Sequence, residues 1–169
     1  HTYKYRKTTT GQYFISTHTG DEEITQIQTL SFPDKSIQVE KDIISIFDQL
    51  NDVDDITGKV FRLYNSSLNR FPDISGFEYW VSTNRSDQNT YKDICNSFLH
   101  SEEYREKNNH ISDTEFIKNL YSNILSRKPD SEGFNYWITQ LSNGLESKNE
   151  ILMGFSESTE NKSIFLDSI

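Results

Sequence analysis

Two pairs of aromatic side chains have the type and spacing to bind a ligand. Tyr79 precedes Trp80, and the same pair recurs as Tyr136 and Trp137. Exposed tyrosine and tryptophan rings can stack on sugars or on bases, so these four residues are candidates for a binding platform. Aromatic residues at helical spacing more often belong to a hydrophobic core, which is the interpretation that we favour. Tyr79 and Tyr136 are the better candidates for exposure, because they lie off the face of the tryptophan.

Two acidic clusters could in principle hold a hard cation. Residues 21–23 read Asp-Glu-Glu, and residues 52–55 read Asp-Val-Asp-Asp. Calcium takes several oxygen ligands from a short loop, but neither cluster has the alternating acids, the sixth-position glycine and the twelfth-position glutamate of an EF-hand. We therefore assign no metal ligand and no cofactor, and keep bound calcium as an alternative.

The remaining reactive side chains form no catalytic pattern. The four histidines are scattered, and no nucleophile motif or phosphate-binding loop exists. Cys95 is the single cysteine, and its helical apolar surroundings predict a buried, unreactive thiol. The sequence therefore predicts a protein that is not an enzyme. The histidines are His1, His18, His100 and His110.

Composition limits the partners. The chain has 169 residues and a net charge of −9, which argues against nucleic acid and against an anionic membrane surface. No run of 18 apolar residues exists, so we predict no membrane insertion. The chain starts inside a strand-like pattern, so we expect it to be a piece of a longer protein.

An 18-residue motif occurs twice. Residues 63–80 and residues 120–137 both read Leu-Tyr-x-x-x-Leu-x-Arg-x-Pro-Asp-x-x-Gly-Phe-x-Tyr-Trp, a displacement of 57 residues with no gap. Such identity indicates an internal duplication. The register continues downstream, where Phe98 and Glu103 align with Phe155 and Glu160.

The repeated motif predicts a corner between two helices. Pro72 prevents the first helix from continuing, and Asp73 is placed to cap the next one. Arg70, three residues earlier, is within reach of that carboxylate. Gly76, without a Cβ, would permit a close approach by another helix. The equivalent residues of the second copy are Arg127, Pro129, Asp130 and Gly133.

Hydrophobic periodicity predicts an α+β protein. Period-two alternation through Tyr3, Tyr5, Tyr13 and Ile15 predicts strands in a β-rich module at residues 1–38, and a further strand is predicted at 24–30. From residue 39 the period becomes helical. We predict a short antiparallel β-module followed by a mainly helical array of two homologous three-helix repeats, with short terminal turns beginning at Ser101 and Ser158. The predicted units are 1–38, a connecting helix and turn at 39–55, repeat 1 at 56–107 and repeat 2 at 113–165. The predicted helices are 56–68, 74–84, 88–99, 113–126, 131–142 and 146–156.

The duplicated motif, with Phe98, Phe155, Ser101 and Ser158 after it, resembles the bacterial domain-of-unknown-function family 4214 over about residues 56–165. The first copy departs from the pattern at Phe71 and lacks a glycine near residue 87. The resemblance implies a secreted or surface protein and supplies no catalytic residue. Residues 20–34 also resemble β segments found beside calcium-binding nonapeptide repeats of RTX-like surface proteins.

We therefore expect a non-catalytic extracellular or cell-surface module for assembly or attachment, with a protein partner or self-assembly as its mode of action. A glycan-binding domain or an accessory domain of a carbohydrate enzyme is the alternative. A calcium-stabilised segment of a surface protein is the second alternative.

Overall fold

The computed structural model describes residues 4–169 and confirms a small β-module followed by an array of helices. Tyr3 lies outside the described residues. The first three strands form an antiparallel meander in which Tyr5 pairs with Ile15, and Phe14 pairs with Glu23. A separate antiparallel hairpin follows. The strands are β1 (Tyr5–Lys7), β2 (Tyr13–Thr17), β3 (Gly20–Glu23), β4 (Thr29–Ser31) and β5 (Ser36–Gln38).

The strand predicted at residues 24–30 is wrong over most of its length. Strand β3 ends at Glu23, and residues 24–28 form a turn in which the Ile27 amide donates to the Ile24 carbonyl. Ile24 is buried while Ile27 is exposed. Residues three apart lie on opposite faces of a strand, so a buried Ile24 and an exposed Ile27 would fit a strand as well as a turn. The spacing of the apolar residues therefore does not distinguish the two structures here.

The connecting helix (Glu40–Ile44 and Ser45–Gln49) links the β-module to the helical array. Its first part is a π-helical turn and its second part, α1, is an α-helix. Ile43, Ile46 and Phe47 are buried on one face, as the helical period predicts. The connecting helix contacts the second helix of repeat 1, and Phe47 meets Phe61 of the first helix.

Each repeat contains four helices, one more than predicted. The segments after Ser101 and Ser158 are helices rather than short turns, and each serine hydroxyl caps its helix by accepting a hydrogen bond from a first-turn amide. None of the described helices combines the length and apolarity needed to cross a membrane. Repeat 1 comprises α2 (Ile56–Leu68), α3 (Ile74–Arg85), α4 (Tyr91–Leu99) and α5 (Glu102–Lys107). Repeat 2 comprises α6 (Asp113–Leu125), α7 (Ser131–Ser142), α8 (Lys148–Ser156) and α9 (Thr159–Leu166).

Helix α2 lies at the centre of the array. All but one of its residues are buried, and it contacts every other helix of repeat 1 together with α6 and α8 of repeat 2. Residues 165–168 contact both the β-module and α2, because the Lys7 amide donates to the Ser168 carbonyl and Phe165 packs on Phe61. The β-module and the two repeats therefore share one hydrophobic core.

Candidate functional site

Each repeated arginine forms a two-point ion pair with the fourth helix of its own repeat. Arg70 donates from Nε and Nη2 to the Glu103 carboxylate at 2.8 and 2.9 Å. Arg127 makes the same bonds to Glu160 at 2.7 and 2.9 Å. The parallel geometry gives these charge-assisted bonds both strength and a fixed orientation. The arginine thus ties the start of the corner to the helix that closes the repeat.

The repeated aspartates cap the helix after each corner, as predicted. Asp73 accepts a hydrogen bond from the Gly76 amide at 2.8 Å, and Asp130 accepts from the Gly133 amide at the same distance. The predicted pairing with the arginine is also present but looser, at 3.3 Å in repeat 1 and 3.5 Å in repeat 2. The arginine therefore serves mainly the distant glutamate, and secondarily the capping aspartate.

The repeated glycines make room for a tyrosine of the preceding helix. A Cβ on Gly133 would lie 2.5 Å from the Tyr121 hydroxyl oxygen, and a Cβ on Gly76 would collide with the hydroxyl of Tyr64 in the same way. A close approach is present at both glycines, but it is not the approach of a second helix that the sequence predicts. It is made by a single phenol group rather than by a helix backbone.

The same tyrosines place their rings beneath the arginines. The Arg70 guanidinium lies 5.0 Å from the centre of the Tyr64 ring, and Arg127 lies 4.9 Å from that of Tyr121. These are cation–π distances, so the ring screens one face of each guanidinium from water. Tyr64 in turn meets Phe98 edge to face at 4.8 Å. The equivalent pair in repeat 2, Tyr121 and Phe155, is at 4.9 Å.

The four candidate platform residues are split between core and surface. Tyr79 is 55% exposed and Tyr136 is 49% exposed, whereas both tryptophans are half-buried. Each tyrosine meets its neighbouring tryptophan edge to face, at 4.8 Å for Trp80 and 4.9 Å for Trp137. We call each such pair a ledge. A cavity of about 160 Å³ beside the first ledge is lined by Trp80 and by the ion pair of the corner.

The ion pairs shift the titration of the glutamates. The hydrogen bonds from Arg70 lower the pKa of Glu103, and those from Arg127 lower the pKa of Glu160. Burial acts to raise the pKa of Asp73, but the Gly76 amide, Ser75 and Arg70 together outweigh it, and the pKa is lowered. All of these carboxylates are therefore held in the charged form.

Two parts of the site were not found by sequence reasoning. Glu103 and Glu160 were recognised only as aligned residues, and that alignment was the available signal for their common role. The second part is Arg62, which is fully buried between the repeats.

Arg62 joins repeat 1 to repeat 2. Its Nη2 donates to Glu157 at 2.6 Å, its Nε donates to the Ser156 carbonyl at 3.2 Å, and its Nη1 donates to the Val53 carbonyl at 2.8 Å. Burial of a charged group is tolerated when such partners satisfy it. The residue at the equivalent position of repeat 2 is Asn119, so the duplication gave no indication of this role.

The acidic clusters are used within the protein. Asp21 pairs with Arg6, Asp54 pairs with Lys162, and Asp55 caps α2. Among residues 4–169, no group of three or more His, Cys, Asp or Glu side chains is arranged to hold a metal ion. Cys95 is buried, and burial raises the pKa of its thiol to about 12.

Comparison with known proteins gives a family but no described activity. The model of a family described as "Domain of unknown function (DUF4214)" matches residues 57–108 and residues 95–165. No curated protein and no solved structure matches the chain significantly. The two family matches together span the duplicated corners and most of the helical array. The chain therefore belongs to the DUF4214 family.

Proposed function

We propose that the chain is a non-catalytic structural and interaction module that works in assembly or attachment at an extracellular or cell-surface location. The observation that carries this proposal is the matching of the two corners. In both repeats the arginine ties two helices together, the aspartate caps a helix, and the glycine admits a tyrosine hydroxyl. The residues of the motif are thus engaged in holding the scaffold.

The ledge tyrosines are the large aromatic side chains of the motif that are exposed in both repeats. Tyr79 and Tyr136 each present an exposed ring held against a tryptophan. Tyrosine and tryptophan are enriched at the centres of protein interfaces, because they bury a large area with few rotatable bonds. We therefore propose the two ledges as contact points for a protein partner, with a second copy of this chain as the first partner to test.

Light scattering after size-exclusion chromatography tests this proposal. The average mass of the native chain should rise with concentration, and the double variant Tyr79→Ser/Tyr136→Ser should remain monomeric. The matched control is Leu145→Ser/Leu166→Ser, which removes two exposed apolar side chains outside the ledges and should assemble like the native chain. A native mass that does not change with concentration would contradict self-assembly.

Glycan binding is the second candidate function, and the exposure of the two tyrosine rings favours it. A sugar ring could stack on Tyr79 or on Tyr136, as sugars do on exposed aromatic faces. Titration of the native chain with neutral oligosaccharides tests this candidate. Binding that survives in the double tyrosine variant would remove the ledges from consideration.

The surface location in this proposal is supported by the resemblance of residues 20–34 to β segments that accompany calcium-binding nonapeptide repeats. A calcium-stabilised segment is the corresponding second alternative. Thermal melting in calcium and in chelator tests it, because an ion that binds only the folded state raises the melting midpoint. Equal midpoints would dismiss calcium.

A further inference from the structure

A cleft of about 900 Å³ lies between the β-module and the first corner. Its volume is in the range of pockets that take small molecules. One wall is apolar and includes Tyr5, Phe71 and Pro72. The ledges lie elsewhere, since neither Tyr79 nor Trp80 lines this cleft.

The cleft is cationic although the chain as a whole is acidic. Its lining carries Lys4, Lys35, Lys41 and Arg70 against two carboxylates, in a chain of net charge −9. Arg70 is already neutralised by Glu103. None of the three lysines forms an ion pair with another residue of the described range 4–169, although the Lys4 ammonium lies 4.9 Å from the centre of the Phe32 ring. Their charges are therefore available to an anion that enters the cleft.

A buried amide donor in the lining has no partner. Asn65 is only 4% exposed and lines the cleft, and its Nδ2 has no hydrogen-bond partner among the described residues. Buried polar groups in folded proteins are almost always satisfied, and an unsatisfied donor costs stability. A ligand oxygen that approaches Asn65 from the cleft would satisfy this donor.

The cleft also contains carboxylates that accept hydrogen bonds and an uncharged hydroxyl that can donate one. The carboxylates of Asp42 and Asp73 line it, as does Tyr5. Burial, followed by the charge of Asp42, raises the pKa of Tyr5 to about 12, so its hydroxyl stays protonated. A bare inorganic anion could pair with the lysines but could not use the two carboxylates, which only accept hydrogen bonds. A molecule that carries both hydroxyl groups and an anionic group would use them as well as the lysines.

We propose that this cleft binds a small anionic saccharide, whose carboxylate or phosphate pairs with the lysines and whose hydroxyls bond to the acceptors. The equivalent surface of repeat 2 provides the contrast. The cleft beside the second corner is lined by Lys118 and Lys128. Ser122 takes the place of Asn65 there, and no carboxylate is among the residues that line it. The saccharide site thus belongs to repeat 1 together with the β-module.

Isothermal titration calorimetry of the full chain tests the proposal with four probes: D-galacturonate, D-glucose 6-phosphate, D-glucose and inorganic phosphate. We expect at least one of the two sugar anions to bind with a Kd of about 0.1–1 mM. Glucose and inorganic phosphate should each bind about tenfold more weakly. The tighter of the two sugar anions identifies the anionic group.

Three variants locate the site. Lys35→Glu/Lys41→Glu should weaken sugar-anion binding at least about tenfold, because two charge-assisted contacts become repulsive. The control Lys118→Glu/Lys128→Glu changes the net charge equally and should stay within about twofold of the native Kd. Asn65→Ser, which introduces the residue of repeat 2, should weaken binding about fivefold without lowering the melting midpoint.

The proposal is overturned if the native chain shows no saturable binding, or if the two lysine variants lose affinity equally. It is also overturned if glucose or inorganic phosphate binds as tightly as the sugar anions. The ledge tyrosines are unchanged in every variant of this series. Failure here is therefore distinguishable from failure of the proposed ledge function.

Discussion

The two repeats have the same corner but different surroundings. Helix α3 buries Phe77, whereas the equivalent helix α7 buries none of its residues. The cause lies outside the motif, because the connecting helix packs on α3, while α7 packs mainly on α6. The comparison shows that the motif determines the local corner and that the rest of the chain determines how deeply the corner is covered.

The two repeats carry different residues at two positions that bear on this difference in burial, one in the first helix and one in the corner. Phe61 and Phe71 belong to the aromatic core beneath the β-module. Their ring centres lie 5.2 Å apart, and the ring centre of Phe47 lies 5.9 Å from that of Phe61 and 5.6 Å from that of Phe71. The equivalent residues of repeat 2 are Lys118 and Lys128. Lysine keeps its charged end in water, so this surface of repeat 2 is built to remain solvated.

Replacing the equivalent residues Phe77 and Phe134 by alanine measures how deeply each corner is buried. Phe77→Ala should lower the free energy of unfolding by about 4 kcal/mol, because Phe77 is fully buried and a cavity remains. Phe134→Ala should lower it by about 1–2 kcal/mol, because Phe134 is half-buried. Urea unfolding of both variants provides the values. Equal losses would show that the two corners are covered to the same extent in solution.

The joint between the repeats gives the second test. Arg62→Ala should lower the free energy of unfolding by about 3 kcal/mol, because it leaves Glu157 and two backbone carbonyls without their buried partner. Asn119→Ala, at the equivalent position of repeat 2, should change it by less than about 0.5 kcal/mol. Denaturant unfolding again measures both. A large loss for Asn119→Ala would mean that the two positions are equivalent after all.

These cases show which features the sequence could predict. The capping aspartates and the place of the glycines follow from local rules, and the structure confirms them. Two helix starts differ from the prediction, because α4 begins at Tyr91 rather than at 88 and α8 begins at Lys148 rather than at 146. Arg62 and Glu157 lie 95 residues apart, so no local pattern links them. The motif alone could not predict the exposure of α7, because Phe134 and Trp137 have the same spacing as Phe77 and Trp80. The available signal lay at the positions where Lys118 and Lys128 replace Phe61 and Phe71. The connecting helix, which packs on α3, is one cause of the different environments of α3 and α7.

The arginine ion pairs differ in a neighbour that the motif does not contain. Lys107 also bonds to Glu103, at 2.9 Å, whereas the equivalent residue of repeat 2 is Ile164. Arg70→Ala and Arg127→Ala should each lower the free energy of unfolding by about 1 kcal/mol at neutral pH, because both pairs are partly exposed to solvent. Thermal or urea unfolding of the two variants measures this.

The titration of the glutamates separates the two corners more sharply. In Arg70→Ala, Lys107 should keep the pKa of Glu103 below its ordinary value, whereas in Arg127→Ala the pKa of Glu160 should return to the ordinary range. A lowered folded-state pKa contributes stability above the unfolded-state pKa, and that stability is lost as the pH falls through the folded-state value. Arg127→Ala should therefore lose less stability on acidification than the native chain does. Carboxyl NMR titration reads both glutamates directly, and equal shifts in the two variants would contradict the role given to Lys107.

The smallest expected effect concerns the turn after the second helix of each repeat. Asp87 has a φ of 57° and the equivalent Gly144 has a φ of 65°, so a non-glycine residue holds a left-handed conformation in repeat 1. Asp87→Gly removes that strain but loosens the unfolded chain, and the net gain in the free energy of unfolding should be about 0.5 kcal/mol. Gly144→Asp should lose a similar amount. If both substitutions lower the melting midpoint, contacts of the Asp87 side chain stabilise its turn by more than the left-handed backbone costs. The two turns are then not interchangeable.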